Sequence, residues 1–153
     1  MIRMNVSGAA ELIAALHNMR DGYHGTLETA MKISLRDVQE YARAHHRFIT
    51  RTGEAERSIE RSGIRHIPGG IEGEVGTTRR ITVYLHQGTR PHVIVPRNKL
   101  ALRWVSGGKF VFSQRVHHPG TSPDEFIFQA AEHLRPAIES RFDAAIRELI
   151  GGQ

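Results

Sequence analysis

GTRPHVIVPRNKLALRWVSGGKFVFSQRVHH, residues 88–118, mixes β-branched and aromatic residues with cations and carries a Gly-Gly turn in its second half. HVIVP (92–96), ALRWV (101–105) and KFVFS (109–113) read as strands, with Ser106-Gly107-Gly108 as the turn between the last two. A hairpin excursion of this length is uncommon inside one compact domain. Val93, Ile94, Val95, Leu100, Leu102, Trp104, Val111 and Phe112 cannot all be buried in a chain of 153 residues. Surplus apolar surface of this kind predicts self-association or docking on a larger assembly. The candidate interface is Tyr84, Gly88, Thr89, His92, Val93, Ile94, Val95, Pro96, Leu100, Leu102, Trp104, Phe110, Phe112 and Val116.

The same stretch dominates the charge pattern. Between Glu74 and Asp124 there is no acidic residue, while Arg79, Arg80, Arg90, Arg97, Lys99, Arg103, Lys109 and Arg115 all fall there. The chain's formal net charge is +5, so removing these eight cations leaves about −3 for everything else. A one-signed block attracts acidic partners or phosphates. Hydrophobic residues at 39% and charged residues at 24% fit one folded domain over 1–153. The absence of cysteine removes disulfides and thiolate metal sites. No apolar run approaches the ~20 residues that span a bilayer. The start has no signal-peptide pattern, which predicts synthesis into a cytoplasm and no membrane partner.

Outward from the excursion the pattern becomes helical. Residues 7–20 read as a short helix with Leu12, Ile13 and Leu16 on one face, ended by Asp21-Gly22. From about Thr26, Leu27, Met31, Leu35, Val38, Ala42, His45 and Ile49 step by three and four, predicting a second helix that runs to residue 50. Thr52-Gly53 stops it. SIERSGIRHI (58–67), GIEGEVGT (70–77) and RITVYLHQ (80–87) read as further strands, with Pro68-Gly69-Gly70 as a turn. On the C-terminal side, Pro119-Gly120 suits the centre of a type II turn. Ser122, Pro123, Asp124 and Glu125 then fit a helix start, with serine as N-cap and Glu125 closing a capping box. Ile127, Ala131, Leu134, Ile138, Phe142, Ala145 and Leu149 carry that helix over 122–150, with a kink expected near Pro136. The expected class is α+β: two N-terminal helices, a mostly antiparallel sheet over 58–116 with an extended basic hairpin at about 88–118, and a closing helix.

Catalytic chemistry has little to stand on. There is no P-loop, no G-x-S-x-G elbow, no G-x-G-x-x-G and no convergent pair of carboxylates. The ten histidines invite a metal, but no H-x-x-x-H spacing appears and residues 75–123 offer no carboxylate. His117 and His118, adjacent in a strand, point to opposite faces and cannot share one ion. His45, on the apolar seam, is expected as a hydrogen-bonded core or interface residue. His92 with Arg90, or His118 with Arg115, could serve RNA cleavage. Phe110 and Phe112 share one strand face and either stack on bases or pack inward. The alternative function class is therefore a small basic nucleic-acid-binding or nuclease-like module. No cofactor is expected.

Several pieces, in order, resemble the neck and tail-completion proteins of long-tailed double-stranded DNA bacteriophages. RTGEAERSI (51–59) is similar to that family's Thr-Gly-x-x-x-x-Ser-Ile element after a long helix. YLHQGT (84–89) resembles its Tyr-x-x-x-x-Gly-Thr strand end, although His86-Gln87 stands where an acidic residue is common. HVIVPRNKLALRW (92–104) and KFVFSQRVHHPGTSPDEFIFQA (109–130) resemble its proline-bearing hairpin and closing His-Pro-Gly before a helix containing Phe126. The resemblance covers roughly residues 25–131. It implies a non-enzymatic virion part, assembled in the host cytoplasm into a homo-oligomeric ring, commonly six-fold. Such a ring sits at the head–tail junction with other neck, head-completion and tail-tube proteins, around the channel that DNA traverses. It also implies structural joints at Thr52, Gly53, His118, Pro119, Gly120, Ser122, Pro123, Glu125 and Phe126. The eight cations would then face DNA or an acidic partner.

Overall fold

Leu27, Ala30, Leu35, Val38 and Ala42, spaced by three to five residues, are all buried, and together they form the inner face of one long helix, α1 (Ala9–Ala44). The structure, a computed structural model, describes residues 9–68 and 70–151, with residues 9–24, 150 and 151 described by backbone alone. Ser7, Gly8, Gly69 and the Leu12-Ile13-Leu16 face therefore lie outside the described residues and side chains. The expected stop at Asp21-Gly22 does not occur; the helix runs through it and through Gly25. A glycine inside a helix costs only about 1 kcal/mol, which the tertiary packing farther along the helix outweighs.

The partner of α1 is α4 (Phe126–Gly151). Val38 and Ala42 pack with Phe126, Ala130, Leu134 and Ile138, while Leu27 and Ala30 pack with Phe142, Ala145 and Leu149. Early residues of one helix meet late residues of the other, so the two run antiparallel. A polar tie crosses the seam: Arg141 donates to Ser34 Oγ at 2.8 Å and to Asp37 Oδ2 at 2.6 Å. α4 is not divided at Pro136, which lies on its exposed side.

Two excursions join these helices, and each is a nested hairpin. After the one-turn α2 (Glu54–Arg57), β1 (Glu60–Arg61) pairs with β4 (Val75–Gly76), and inside them β2 (Arg65–Ile67) pairs with β3 (Gly70–Glu72). Ile59, fully buried, anchors this unit, and its carbonyl accepts from Gln39 Nε2 at 2.7 Å. After α3 (Arg80–Gln87), β5 (His92–Ile94) pairs with β8 (Val116–His118), and inside them β6 (Leu102–Ser106) pairs with β7 (Lys109–Ser113). The class is α+β. The expected sheet is instead four separate two-stranded antiparallel ladders among the described residues. Glycines and prolines cut the strands to two to five residues, and each strand pairs only within its own excursion.

Three boundaries differ from expectation. RITVYLHQ is a helix, not a strand: Thr82 and His86, four apart, are buried. A short apolar run does not distinguish the two periods, and here Thr82 Oγ1 is held by Ser58 Oγ at 2.8 Å. YLHQGT is accordingly a helix end. α1 stops at Ala44 rather than residue 50, leaving Ile49 84% exposed and His45 an exposed residue stacked on Tyr41. Its next amides are taken elsewhere: the Arg47 and Phe48 N–H groups donate to Asp124 Oδ2 at 2.6 and 3.3 Å. The capping box at Ser122 and Glu125 does not form. α4 begins at Phe126, and Glu125 has φ +40°. The Asp124 and Glu125 amides donate to the carbonyls of Leu85 and His86 at the end of α3, so they need no serine cap.

Candidate functional site

Residues 88–121 leave the body between α3 and α4 and return to the same point. At the root, Thr89 and Thr121 exchange both backbone hydrogen bonds, at 2.9 and 3.1 Å. The backbones approach closely enough to require glycine on both sides. A Cβ on Gly88 would lie 2.6 Å from the Thr121 carbonyl oxygen, and one on Gly120 would collide with the Thr89 carbonyl. Both residues also have positive φ, +76° and +91°. Gly120 thus has the left-handed conformation expected for the Pro119-Gly120 turn.

The buried Asp124 locks the root to the helices. Besides the two amides of the α1 end, Oδ1 accepts from Arg47 Nε at 2.9 Å. Burial alone would push this carboxyl up; the hydrogen bonds from Arg47 and Phe48 outweigh it and hold the group below its ordinary value. Beside it His86 packs edge-on against Phe126 and Phe128, and its Nδ1 is buried with no hydrogen-bond partner among the described residues. Burial lowers the His86 pKa against the opposing pull of Glu125 and Asp124.

Above the root, His92 and His118 are cross-strand partners with rings stacked at 5.0 Å. His92 Nδ1–H donates to the Arg90 carbonyl at 2.8 Å, and His118 Nδ1 accepts the Gly120 amide at 3.0 Å. The two histidines are occupied as fittings of the hairpin. His117 points the other way, exposed. Among the described residues no group of three His, Asp or Glu side chains could hold a metal ion.

The inner ladder has two unlike faces. Register places Leu102, Trp104 and Val111 on one side, and Arg103, Val105, Phe110 and Phe112 on the other. The first side is partly covered. The second is open: Val105 is 62% exposed, Phe110 62% and Phe112 64%, with the Arg103 guanidinium 4.8 Å from the Phe110 ring centre. Phe110 and Phe112 share a face as expected, but it is not packed inward. Leu100, at the bend before β6, is 93% exposed, and Val93 and Val95 are also exposed. Ile94, Pro96, Leu102 and Val116 are half-buried. No arm side chain belongs to either buried cluster of the body. Gly107 and Gly108 turn the tip, both with positive φ, as a two-residue loop requires.

The structure therefore brings the candidate interface together in one arm, except Tyr84, which sits on α3 with its hydroxyl accepting from Arg80 at 2.9 Å. The cations divide likewise. Arg79 is paired with Glu54 at 2.9 Å. Arg90, Arg97, Lys99, Arg103, Lys109 and Arg115 lie on the arm, and among the described residues none of them forms an ion pair. Thr52 and Gly53 are apart from this joint; Gly53, at φ +69°, starts α2. Sequence reasoning missed the Asp124–Arg47 lock and the buried His86. The first had one signal, since Asp124 is the acid that ends the acid-free interval; the second had none. No family model matches this chain, and no curated protein or solved structure matches it either.

Proposed function

We propose that this chain is a non-enzymatic structural part of a tailed-bacteriophage virion, forming a ring at the head–tail junction around the DNA channel. The exposed arm is the observation that carries the reading. A side bearing Val105, Phe110 and Phe112, more than half exposed and stiffened by a two-stranded ladder, is costly to leave in water. Burial against another subunit removes that cost, at about 25 cal/mol per Å2 of apolar area. Closed rings use two different patches per subunit, an arm and a seat. The resemblance of residues 25–131 to neck and tail-completion proteins supplies the biological setting. Among the described residues no helix is long and apolar enough to cross a membrane.

Light scattering after size exclusion tests the proposal on the full chain and on a version with residues 90–120 replaced by a short turn. The adjoining Thr89 and Thr121 make that closure geometrically undemanding. The full chain is expected to associate to a multiple of its 17.2 kDa and the shortened one to run as a correspondingly lighter monomer. Equal monomeric mass for both, up to about 1 mM, overturns it; an association that weak is worth about 4 kcal/mol or less.

One observation favours a second reading. Six arm cations without carboxylate partners, beside two open phenyl rings, could track a phosphate backbone and stack on bases. That reading requires DNA or RNA binding that falls steeply with salt and weakens on Arg90→Ala, Arg97→Ala or Arg103→Ala. No binding at low salt removes it.

A further inference from the structure

We infer that the seat for the arm is the outward face of α4 on a second copy of this chain; the inference rests on the ring reading above. Phe128, Glu132, Glu139, Asp143 and Ile146 follow one another at helical spacings that keep them within about 60° of arc, opposite the face buried on α1. All five are exposed. Glu132 is bonded to Arg135 on the same face. Glu139 and Asp143, one turn apart, form no ion pair among the described residues, although Arg135 and Arg147 stand near enough in sequence. Two like charges at this spacing mildly destabilise an isolated helix.

The face is thus an acidic centre between two apolar ends, Phe128 at 64% and Ile146 at 42% exposure. The open side of the arm is its complement: the cation Arg103 among the apolar Val105, Phe110 and Phe112, whereas Lys109, opposite Ser106, projects from the other side. Within one copy no ion pair joins the arm to α4 among the described residues. Phe128 to Ile146 spans about 27 Å of helix, long enough to receive the whole of the five-residue strands at about 17 Å. Arm-to-α4 contact is head-to-tail, the type that closes a ring.

Charge reversal tests it in the full chain. Arg103→Glu, and separately Glu139→Lys with Asp143→Lys, are each expected to reduce the light-scattering mass to that of the monomer at low salt. The variant carrying all three reversals is expected to regain the wild-type mass, which a folding defect would not allow. An unchanged mass for the α4 variant, with the arm variant monomeric, overturns the seat while leaving arm-mediated association standing. Failure of the triple variant to regain mass overturns the pairing. A wild type that is itself monomeric overturns the ring reading and this inference together.

Discussion

Asp124 offers three acceptor contacts to two backbone amides and one guanidinium, and its replacement separates the parts of that lock. In Asp124→Asn the remaining carbonyl oxygen can keep the Arg47 and Phe48 amides, while the new NH2 faces Arg47 Nε, a donor against a donor. The Arg47 side chain is 72% exposed and can swing into water, so the loss is about 1 kcal/mol. Asp124→Ala strips all three donors of their partner beneath a half-buried turn and costs about 3 kcal/mol. For a chain of this size each kcal/mol moves the melting temperature by about 2–4 °C. The expected losses are then about 2–4 °C for asparagine and 6–12 °C for alanine. The pH dependence follows from the sign. Because the folded carboxyl is held below its ordinary value, its stabilisation is present at neutral pH and disappears as pH falls through the folded value. As pH is lowered from 7 through the ordinary carboxyl value of 3.8, calorimetry should show the gap between wild type and Asp124→Asn beginning to narrow. Equal melting temperatures for wild type and alanine at pH 7, or a gap to asparagine that does not narrow at all below the ordinary carboxyl value of 3.8, would refute the lock.

Gly120→Ala should destabilise by at least about 2 kcal/mol, through positive φ and collision with Thr89, in urea titrations; Gly107→Ala, with open space around it, should cost less. His86 has a lowered folded pKa, so the unfolded chain takes up its proton first, and stability should fall as pH drops below the ordinary histidine value of 6.5. His86→Leu should flatten that slope, and an unchanged slope would count against the assignment. Thr82→Val keeps shape but removes the hydroxyl bonded to Ser58, and should cost about 1 kcal/mol in the same titration.

Legibility in the sequence followed periodicity. The Leu27-to-Ala42 seam and the α4 stripe were readable because long runs repeat the helical period many times, and the arm because its turn glycines punctuate alternating strands. α3 was not readable: eight residues hold barely two turns, and Thr82 and His86 are not apolar signals. The end of α1 and the start of α4 also escaped, for a shared reason. Both are set by Asp124, a side chain that reaches the Arg47 amide across 77 positions, and no local pattern records such a contact. The arm's exposure was inferred from an excess of apolar residues, whereas the seat on α4 required knowing which carboxylates the fold leaves unpaired.

The nesting of the ladders has a consequence for the order in which the molecule is built. Joining Thr89 to Thr121 directly means closing a 32-residue separation at once, an entropic toll that grows with loop length. Pairing at the Gly107-Gly108 tip forms a short local hairpin on the microsecond scale, and each rung added toward the root shortens the span still open. The excursion can therefore act as a zip fastener that hauls the end of α3 to the start of α4 and delivers Asp124 to its partners. Weakening the tip would then slow folding more than it would lower final stability.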